Sequence, residues 1–350
     1  MTRAAVIGTG AIAREHLACL SALEGVEIAG VCDLSPVMAE MTADRFGVKT
    51  WMTDHRELLE AVKPDVVHVT TPPGVHFPIA MDALRAGAHV LVEKPITTSV
   101  DDWRTLRAEA ERVGRMAVEN HNYRFNEPVQ RIVRLQEEGL LGEVVHVEVI
   151  IALNILGPGS SMADPNSPHP ASEIPGGVIG DFLPHMAYLA NLFIGPHRRA
   201  ETVWMKRDSA APVSHDEFRA VVEGDRATAA LVFSSHMQPD VFRLEVHGTK
   251  KRVRVNLFES TWSCERLRGG PKPLMPFFNG LSQSRSAFRG AFGSVWGKLS
   301  GRPVGYQGLW ELIRRLHGAA AGQQPAPLTA DDVEASARLV ADLAAMEAAA

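Results

Sequence analysis

The chain reads as an α/β protein: a doubly wound parallel sheet at the N-terminus, then an α+β domain with an open, largely antiparallel sheet. Three observations predict this. Over residues 1–121 short apolar runs alternate with segments of helical spacing, and a glycine-rich turn joins the first run to the first helix. Beyond Asn122 strand-like runs follow one another across turns containing Gly or Pro. A chain of 350 residues is long enough for two cores.

The elements follow in order. Ala4–Ile7 is a buried strand ending in glycine, and Ala11–Leu23 carries apolar residues at helical spacing. Val26–Cys32 is the next strand, after which Ser35-Pro36 starts a helix with proline at its first position. Asp54 to Glu57 has the spacing of a capping box before Leu58-Leu59. Asp65–Val69 and Ala88–Val92 are β-branched strands on either side of a helix over Pro78–Arg85. Ser99–Val113 is helical and Met116–Val118 adds a final strand. In the second part Val144–Ile151, Glu201–Lys206, Glu217–Glu223, Ala227–Ser234, Phe242–His247 and Arg252–Phe258 read as strands.

Bulk properties exclude several functions. The hydrophobic and charged shares, 45% and 22%, are those of a soluble globular protein, and a net charge of −5 argues against holding a polyanion. Cys19, Cys32 and Cys264 are scattered, so neither a disulfide framework nor a metal site is expected. Met1-Thr2-Arg3 runs directly into a strand, leaving no room for a signal peptide, and no apolar stretch reads as a membrane span; a cytoplasmic address is expected.

Gly8-Thr9-Gly10-Ala11-Ile12-Ala13 has the form GxGxxA at a strand-to-helix turn. Gly8 permits the tight turn, Gly10 leaves room for a pyrophosphate, and Ala13 lets the helix pack close to the sheet, whose helix N-terminus offers amide donors. Asp33, after the second strand, is placed to accept hydrogen bonds from adenosine ribose hydroxyls. Its charge repels a 2′-phosphate, and Leu34-Ser35-Pro36-Val37 holds no arginine to attract one. This is a Rossmann arrangement for NAD, with NADP disfavoured.

Further motifs continue the pattern: Thr70-Thr71-Pro72, His76, Glu93-Lys94-Pro95, Asn122-Tyr123-Arg124-Phe125, and Gly176-Gly177 leading to Asp181-x-x-x-His185. Tyr306 and Trp310 lead a helix, and Pro327-Leu328-Thr329 precedes the last one. Together these resemble the Gfo/Idh/MocA oxidoreductases over nearly the whole chain. The resemblance implies that Lys94 and His185 act at a reacting carbinol beside Asp181, with Glu93 on the nicotinamide side. It further implies a second sheet that holds substrate on one side and forms a homodimer or homotetramer on the other. The sequence departs from the family pattern at Leu183 and Tyr188, where glycine and aspartate are frequent; this speaks against a simple inositol-like substrate.

The chemistry of these residue types agrees. Oxidising a secondary alcohol removes a hydroxyl proton while a hydride leaves the same carbon. His185 suits the base because imidazole titrates near neutrality, and Asp181, one helical turn earlier, is placed to orient it or touch a second hydroxyl. Lys94 ends the fifth strand at the edge where ligands bind, placed to stabilise alkoxide charge. Cofactor contacts are therefore expected from Gly8, Gly10, Ala11, Ile12, Ala13, Asp33, Thr71, Pro72, His76, Glu93, Lys94 and Asn122. Substrate contacts are expected from Lys94, Tyr123, Arg124, Asn154, Asp181 and His185, with His169 and Glu173 on the long Asn154–Gly176 loop as weaker candidates.

The domains divide as 1–121, NAD-binding, and 122–350, substrate-binding and oligomeric, with a final helix over 330–347 packing back toward the first. Residues 266–302 form a basic stretch between Glu265 and Glu311. Wound as a helix, 281–302 would set Leu281, Phe288, Phe292, Val295, Trp296 and Leu299 on one face, a pattern suited to an anionic membrane or a lipid-linked substrate. Four glycines there favour the plainer reading of a cover for the second domain or a subunit contact.

The sequence thus points to an NAD-dependent dehydrogenase acting on a ring hydroxyl of a sugar, cyclitol or sugar conjugate. One rival is a glycoside hydrolase or lyase that retains NAD and uses transient oxidation. Another is a non-catalytic NAD-binding sensor or scaffold, against which the acid/base set argues.

Overall fold

A computed structural model of the chain describes residues 1–157, 160, 174–259, 261–266, 277–278, 280–281, 284 and 306–345. His169, Glu173 and nearly all of the basic stretch 266–302 lie outside the described residues. The chain divides into two units: 1–122 with 308–337, and 123–307 with 338–350.

The first unit is built on a six-stranded parallel sheet. Its strands are β1 (Thr2–Ile7), β2 (Val26–Cys32), β3 (Trp51–Met52), β4 (Val66–Val69), β5 (His89–Val92) and β6 (Ala117–Glu119), in the order β3-β2-β1-β4-β5-β6. The order reverses between β1 and β4, the switch point at which nucleotides bind in such sheets. Five helices connect the strands: α1 (Ala11–Ala22), α2 (Pro36–Phe46), α3 (His55–Val62), α4 (His76–Arg85) and α5 (Val100–Val113). Their starts follow local chemistry. Ser35 Oγ accepts from the Met38 amide ahead of Pro36, and the Asp54 carboxylate accepts from the Arg56 and Glu57 amides. Helix α4 begins two residues earlier than the proline at position 78 suggests, because the 3₁₀ turn Pro73–Val75 already winds the chain. The two-residue β3 is too short for a periodicity signal, and the sequence reading misses it.

A boundary at residue 121 alone leaves out a later piece of this unit. The segment 308–337 belongs to it because Val333 joins the core of Val67, Val90, Trp103 and Leu106. The last two helices, Gln307–Ala320 and Ala330–Ala345, follow the second sheet in sequence. The final one divides between units: Val333 serves the first core, Leu339 and Leu343 the second.

The second unit has a seven-stranded sheet. After helix α6 (Glu127–Glu137) come β7 (Val144–Ala152), β8 (His197–Met205), β9 (Glu217–Gly224), β10 (Thr228–Ser234), β11 (Val241–Gly248), β12 (Lys251–Asn256) and β13 (Thr261–Arg266), ordered β13-β12-β11-β7-β10-β9-β8. All pairs are antiparallel except β7 with β10. One face alternates into the core through Val147, Val149, Phe218, Phe233, Phe242 and Leu244. That face is covered by Leu183–Ile194, whose Leu183, Met186, Leu189 and Phe193 are fully buried, each worth about 1.5–3 kcal/mol of transfer free energy. The stretch Gly177–Ile194 is apolar enough over 18 residues to match a membrane span, which corrects the expectation that none exists; 72% of it is buried inside the structure, as a core helix should be. Strand β13 is absent from the sequence reading because Thr261–Arg266 mixes polar and apolar residues and is nowhere fully buried.

Candidate functional site

The site residues fall into two groups, one in each unit. In the first, the chain leaves β1 through Gly8, whose φ is +90°. A Cβ there would lie 2.8 Å from the Thr70 carbonyl and the Thr71 nitrogen, main-chain atoms that cannot move aside. Thr70 Oγ1 donates to the Gly8 carbonyl at 2.6 Å, fastening the turn to β4. Gly10 caps α1 with no side chain, its first turn holds no acidic residue, and a Cβ on it would meet nothing within 4 Å. The helix end is therefore an open cluster of amide donors, with Ala11 and Ile12 following it and Ala13 fully buried against the sheet.

Asp33 is tied to this turn. Its Oδ2 accepts from the Thr9 amide (2.8 Å) and hydroxyl (2.9 Å), and its Oδ1 from the Ser35 amide (2.9 Å). A carboxylate has about four acceptor positions, so one remains on the Oδ1 side for a ribose hydroxyl.

Across the switch point, His76 is fully buried. Its ring nitrogens lie 2.8 Å from the Pro95 carbonyl and 2.7 Å from the Thr71 carbonyl. In this structure His76 lies between the Thr71-Pro72 turn and the segment after Lys94, and its one N–H in the neutral form can donate to either carbonyl. Lys94, half-buried, follows directly on Glu93 at the carboxyl end of β5.

Glu93 is 8% exposed, and its Oε1 takes hydrogen bonds from Asn120 Nδ2 (2.6 Å) and His16 Nε2 (2.9 Å). Burial pushes its carboxyl up, but the bonds from His16 and Asn120 and the charge of Lys94 outweigh this and hold it below the usual carboxylate range. Among the described residues, Asn120 Oδ1 and Thr71 Oγ1 are buried polar atoms with no protein partner. Together with the open helix end, these two orphaned groups fit a bound dinucleotide. Asn122 closes the unit in a short 3₁₀ turn.

The second group centres on His185, in the first turn of the covering helix, α8 (Leu183–Ile194). Its ring stands edge-on to Tyr123 at 5.0 Å and to Tyr188 at 5.7 Å, with Phe242 at 6.5 Å. Its Nδ1 lies 2.9 Å from the Tyr188 hydroxyl, which also accepts from the Tyr123 amide at 3.2 Å. The Tyr188 oxygen can accept the Nδ1 proton, and in that tautomer the lone pair stands on Nε2, where a base needs it. Burial, and secondarily Tyr306, pushes the Tyr123 phenol up to about 12, so it stays protonated.

Asp181 is placed differently from the expectation of one continuous helix. It ends the short helix α7 (Gly177–Gly180), and α8 begins two residues later. Pro184 lacks the amide that would continue the ladder, although Asp181 and Phe182 keep right-handed backbone angles. Arg124 is half-buried in the turn after Asn122, and Asn154 is exposed just beyond β7, its amide donating to Asp240.

Sequence reasoning missed Tyr188, treating it only as a departure from the family pattern. At 2% exposure it is a direct partner of His185. It also missed Asn120, His16, His68 and His317. One signal was present: a histidine inside the apolar strand Val66-Val67-His68-Val69 requires a buried partner. Tyr188→Phe, which keeps the ring and removes the oxygen, is expected to lower kcat about tenfold while changing the unfolding free energy by only about 1 kcal/mol. Steady-state kinetics with denaturant titration check both.

A family description, oxidoreductase family with NAD-binding Rossmann fold, matches residues 2–121, and the GFO/IDH/MocA C-terminal domain matches residues 129–254. D-glucoside 3-dehydrogenase of Escherichia coli is 32% identical over 143 residues, 41% of each chain. Glycosyl hydrolase family 109 protein 2 of Akkermansia muciniphila is 32% identical over 157 residues, 42% of this chain and 33% of that protein. The chain thus spans well under half the length of these two relatives. A levoglucosan dehydrogenase solved with NADH and levoglucosan has the same fold, with a TM-score of 0.77 at 20% identity, covering 99% of this chain and 98% of that one.

Proposed function

The chain is a member of the Gfo/Idh/MocA oxidoreductase family with an NAD-binding Rossmann unit, and from that premise we propose that it oxidises a secondary ring hydroxyl of a sugar, cyclitol or sugar conjugate to a ketone, or runs the reverse. NAD, when bound, supplies the hydride acceptor. The observation that carries the reading is the imidazole of His185, whose Nδ1 meets the hydroxyl of the buried Tyr188 beside the rings of Tyr123 and Phe242.

In this reading His185 Nε2 takes the substrate hydroxyl proton, and Tyr188 holds the ring in the tautomer that permits it. The Lys94 ammonium donates to the reacting oxygen and stabilises its alkoxide character. Asp181 contacts a neighbouring hydroxyl or steadies the imidazole, and Tyr123, Arg124 and Asn154 contribute to substrate recognition. The exposed Leu34 next to Asp33 offers an apolar surface to the adenine, and the Asp33 charge favours NAD over NADP.

The Akkermansia relative's name favours one second reading, a glycoside hydrolase that retains its cofactor in the oxidised form at the end of each cycle. Absorbance at the NADH band, recorded with a panel of sugars, glycosides and nucleotide sugars and with each cofactor, separates the two. A dehydrogenase accumulates reduced cofactor in proportion to product, and NAD should outperform NADP. Cleaved glycoside without accumulated NADH would replace the dehydrogenase reading with the hydrolase one.

A further inference from the structure

Three buried histidines of the first unit form a continuous hydrogen-bonded line that the chemistry above does not use. His16 Nε2 meets Glu93 Oε1 at 2.9 Å, and His16 Nδ1 meets His68 Nδ1 at 2.8 Å. His68 Nε2 meets His317 Nε2 at 3.1 Å, and His317 Nδ1 meets Thr2 Oγ1 at 3.1 Å. The exposures of His16, His68 and His317 are 0%, 0% and 4%. Thr2 is partly exposed at the amino end of β1, whereas Glu93 follows the carboxyl end of β5. The line therefore runs from the amino ends of the parallel strands to their carboxyl ends.

We propose that this line is a proton path that connects solvent at Thr2 with the Glu93 carboxylate beside Lys94. One tautomer set satisfies every contact: Thr2 Oγ1–H donates to His317 Nδ1, His317 Nε2–H to His68 Nε2, His68 Nδ1–H to His16 Nδ1, and His16 Nε2–H to Glu93. A proton entering at His317 Nδ1 displaces the one on Nε2 to His68; His68 passes its own to His16, and His16 protonates Glu93. Each ring carries one proton before and after, so no buried imidazolium accumulates. With the rings in the opposite tautomer set, His16 Nε2 accepts from a protonated Glu93 and the same hops in reverse carry that proton to solvent, leaving the first set. Each further proton in either direction requires the rings to return to the starting tautomers.

The surroundings suit this. His68 is held well below its ordinary value by burial and by His16 and His317, so it remains neutral. Burial lowers His317 to about 4, with Asp65 raising and His89 lowering it to lesser degrees. At the inner end, against the effect of its burial, His16, Asn120 and Lys94 together hold Glu93 below the usual carboxylate range. As a route by which protons reach or leave Glu93 during turnover, the path rests on the dehydrogenase reading; as a connection between Glu93 and solvent it does not.

Nitrogen-15 NMR of histidine-labelled protein tests the connection without substrate. The wild-type protein should show through-hydrogen-bond couplings between the rings of His16 and His68 and of His68 and His317. In His317→Gln, whose amide can hydrogen-bond but cannot relay a proton, the His16 ring proton should exchange with solvent about a hundredfold more slowly while backbone amide protection is kept. Missing couplings in the wild type, or unchanged His16 exchange in a folded His317→Gln, would overturn the proposal. In turnover, His317→Gln should lower kcat about tenfold at unchanged KM, with added imidazole restoring His317→Ala. Unchanged kcat in a folded His317→Gln removes the catalytic role. A wild-type chain that oxidises no sugar refutes the dehydrogenase reading and that role with it, while the exchange and coupling results still decide the path.

Discussion

Lys94→Met is expected to cut turnover by about a hundredfold or more while NAD binding survives within a few-fold. Methionine keeps the length of the side chain and loses the ammonium, so no large packing change accompanies the loss of charge. Two things disappear together: the donor to the reacting oxygen, and the cation that helps hold Glu93 ionised in a buried position. The fall should therefore appear in kcat and kcat/KM alike, as for an interaction made in the transition state. Isothermal titration with NADH and initial rates at saturating sugar measure the two halves. Equal loss of cofactor affinity and turnover would mean that Lys94 serves the nucleotide instead.

The second large effect belongs to the glycine turn, where two similar substitutions should behave differently. Gly8→Ala places a Cβ 2.8 Å from main-chain atoms of Thr70 and Thr71 at a φ of +90°, so the turn must distort. We expect about 1–3 kcal/mol of lost stability together with loss of NAD binding. Gly10→Ala meets nothing within 4 Å and has an ordinary φ of −67°, so its melting temperature should be nearly unchanged. If the open space over Gly10 is where the pyrophosphate lies, cofactor affinity should still fall by at least about tenfold. Wild-type NAD affinity in Gly10→Ala would place the pyrophosphate elsewhere.

Much of the architecture is legible in the sequence, for physical reasons that particular residues make plain. Val66-Val67-His68-Val69 and His89-Val90-Leu91-Val92 announce buried parallel strands because both faces of such strands are covered. Ser35-Pro36 and Asp54 mark helix starts because capping is a local interaction. The break between Asp181 and α8 was harder to see, since it depends on one missing amide at Pro184 in an otherwise helical run.

Pairings between distant segments were not legible. Nothing in local spacing says that His317 reaches His68 across 249 residues, or that Glu93 shares one oxygen between His16 and Asn120. Tyr188 was visible three residues from His185, yet read only as a departure from a family pattern, because its role comes from a hydroxyl aimed back along the helix. His76 was singled out by its place in a motif, and the structure adds what spacing could not show: its ring nitrogens lie beside two main-chain carbonyls.

The central claim is that Lys94 and His185 act on the same carbinol, and a double-mutant cycle on kcat/KM tests it most directly. With Lys94→Met, His185→Gln and the double variant, the account predicts strong non-additivity, the double variant being little worse than the poorer single one. Effects that multiply independently, with both cofactor and sugar still bound, would mean that the two side chains serve separate steps, and the account would be wrong.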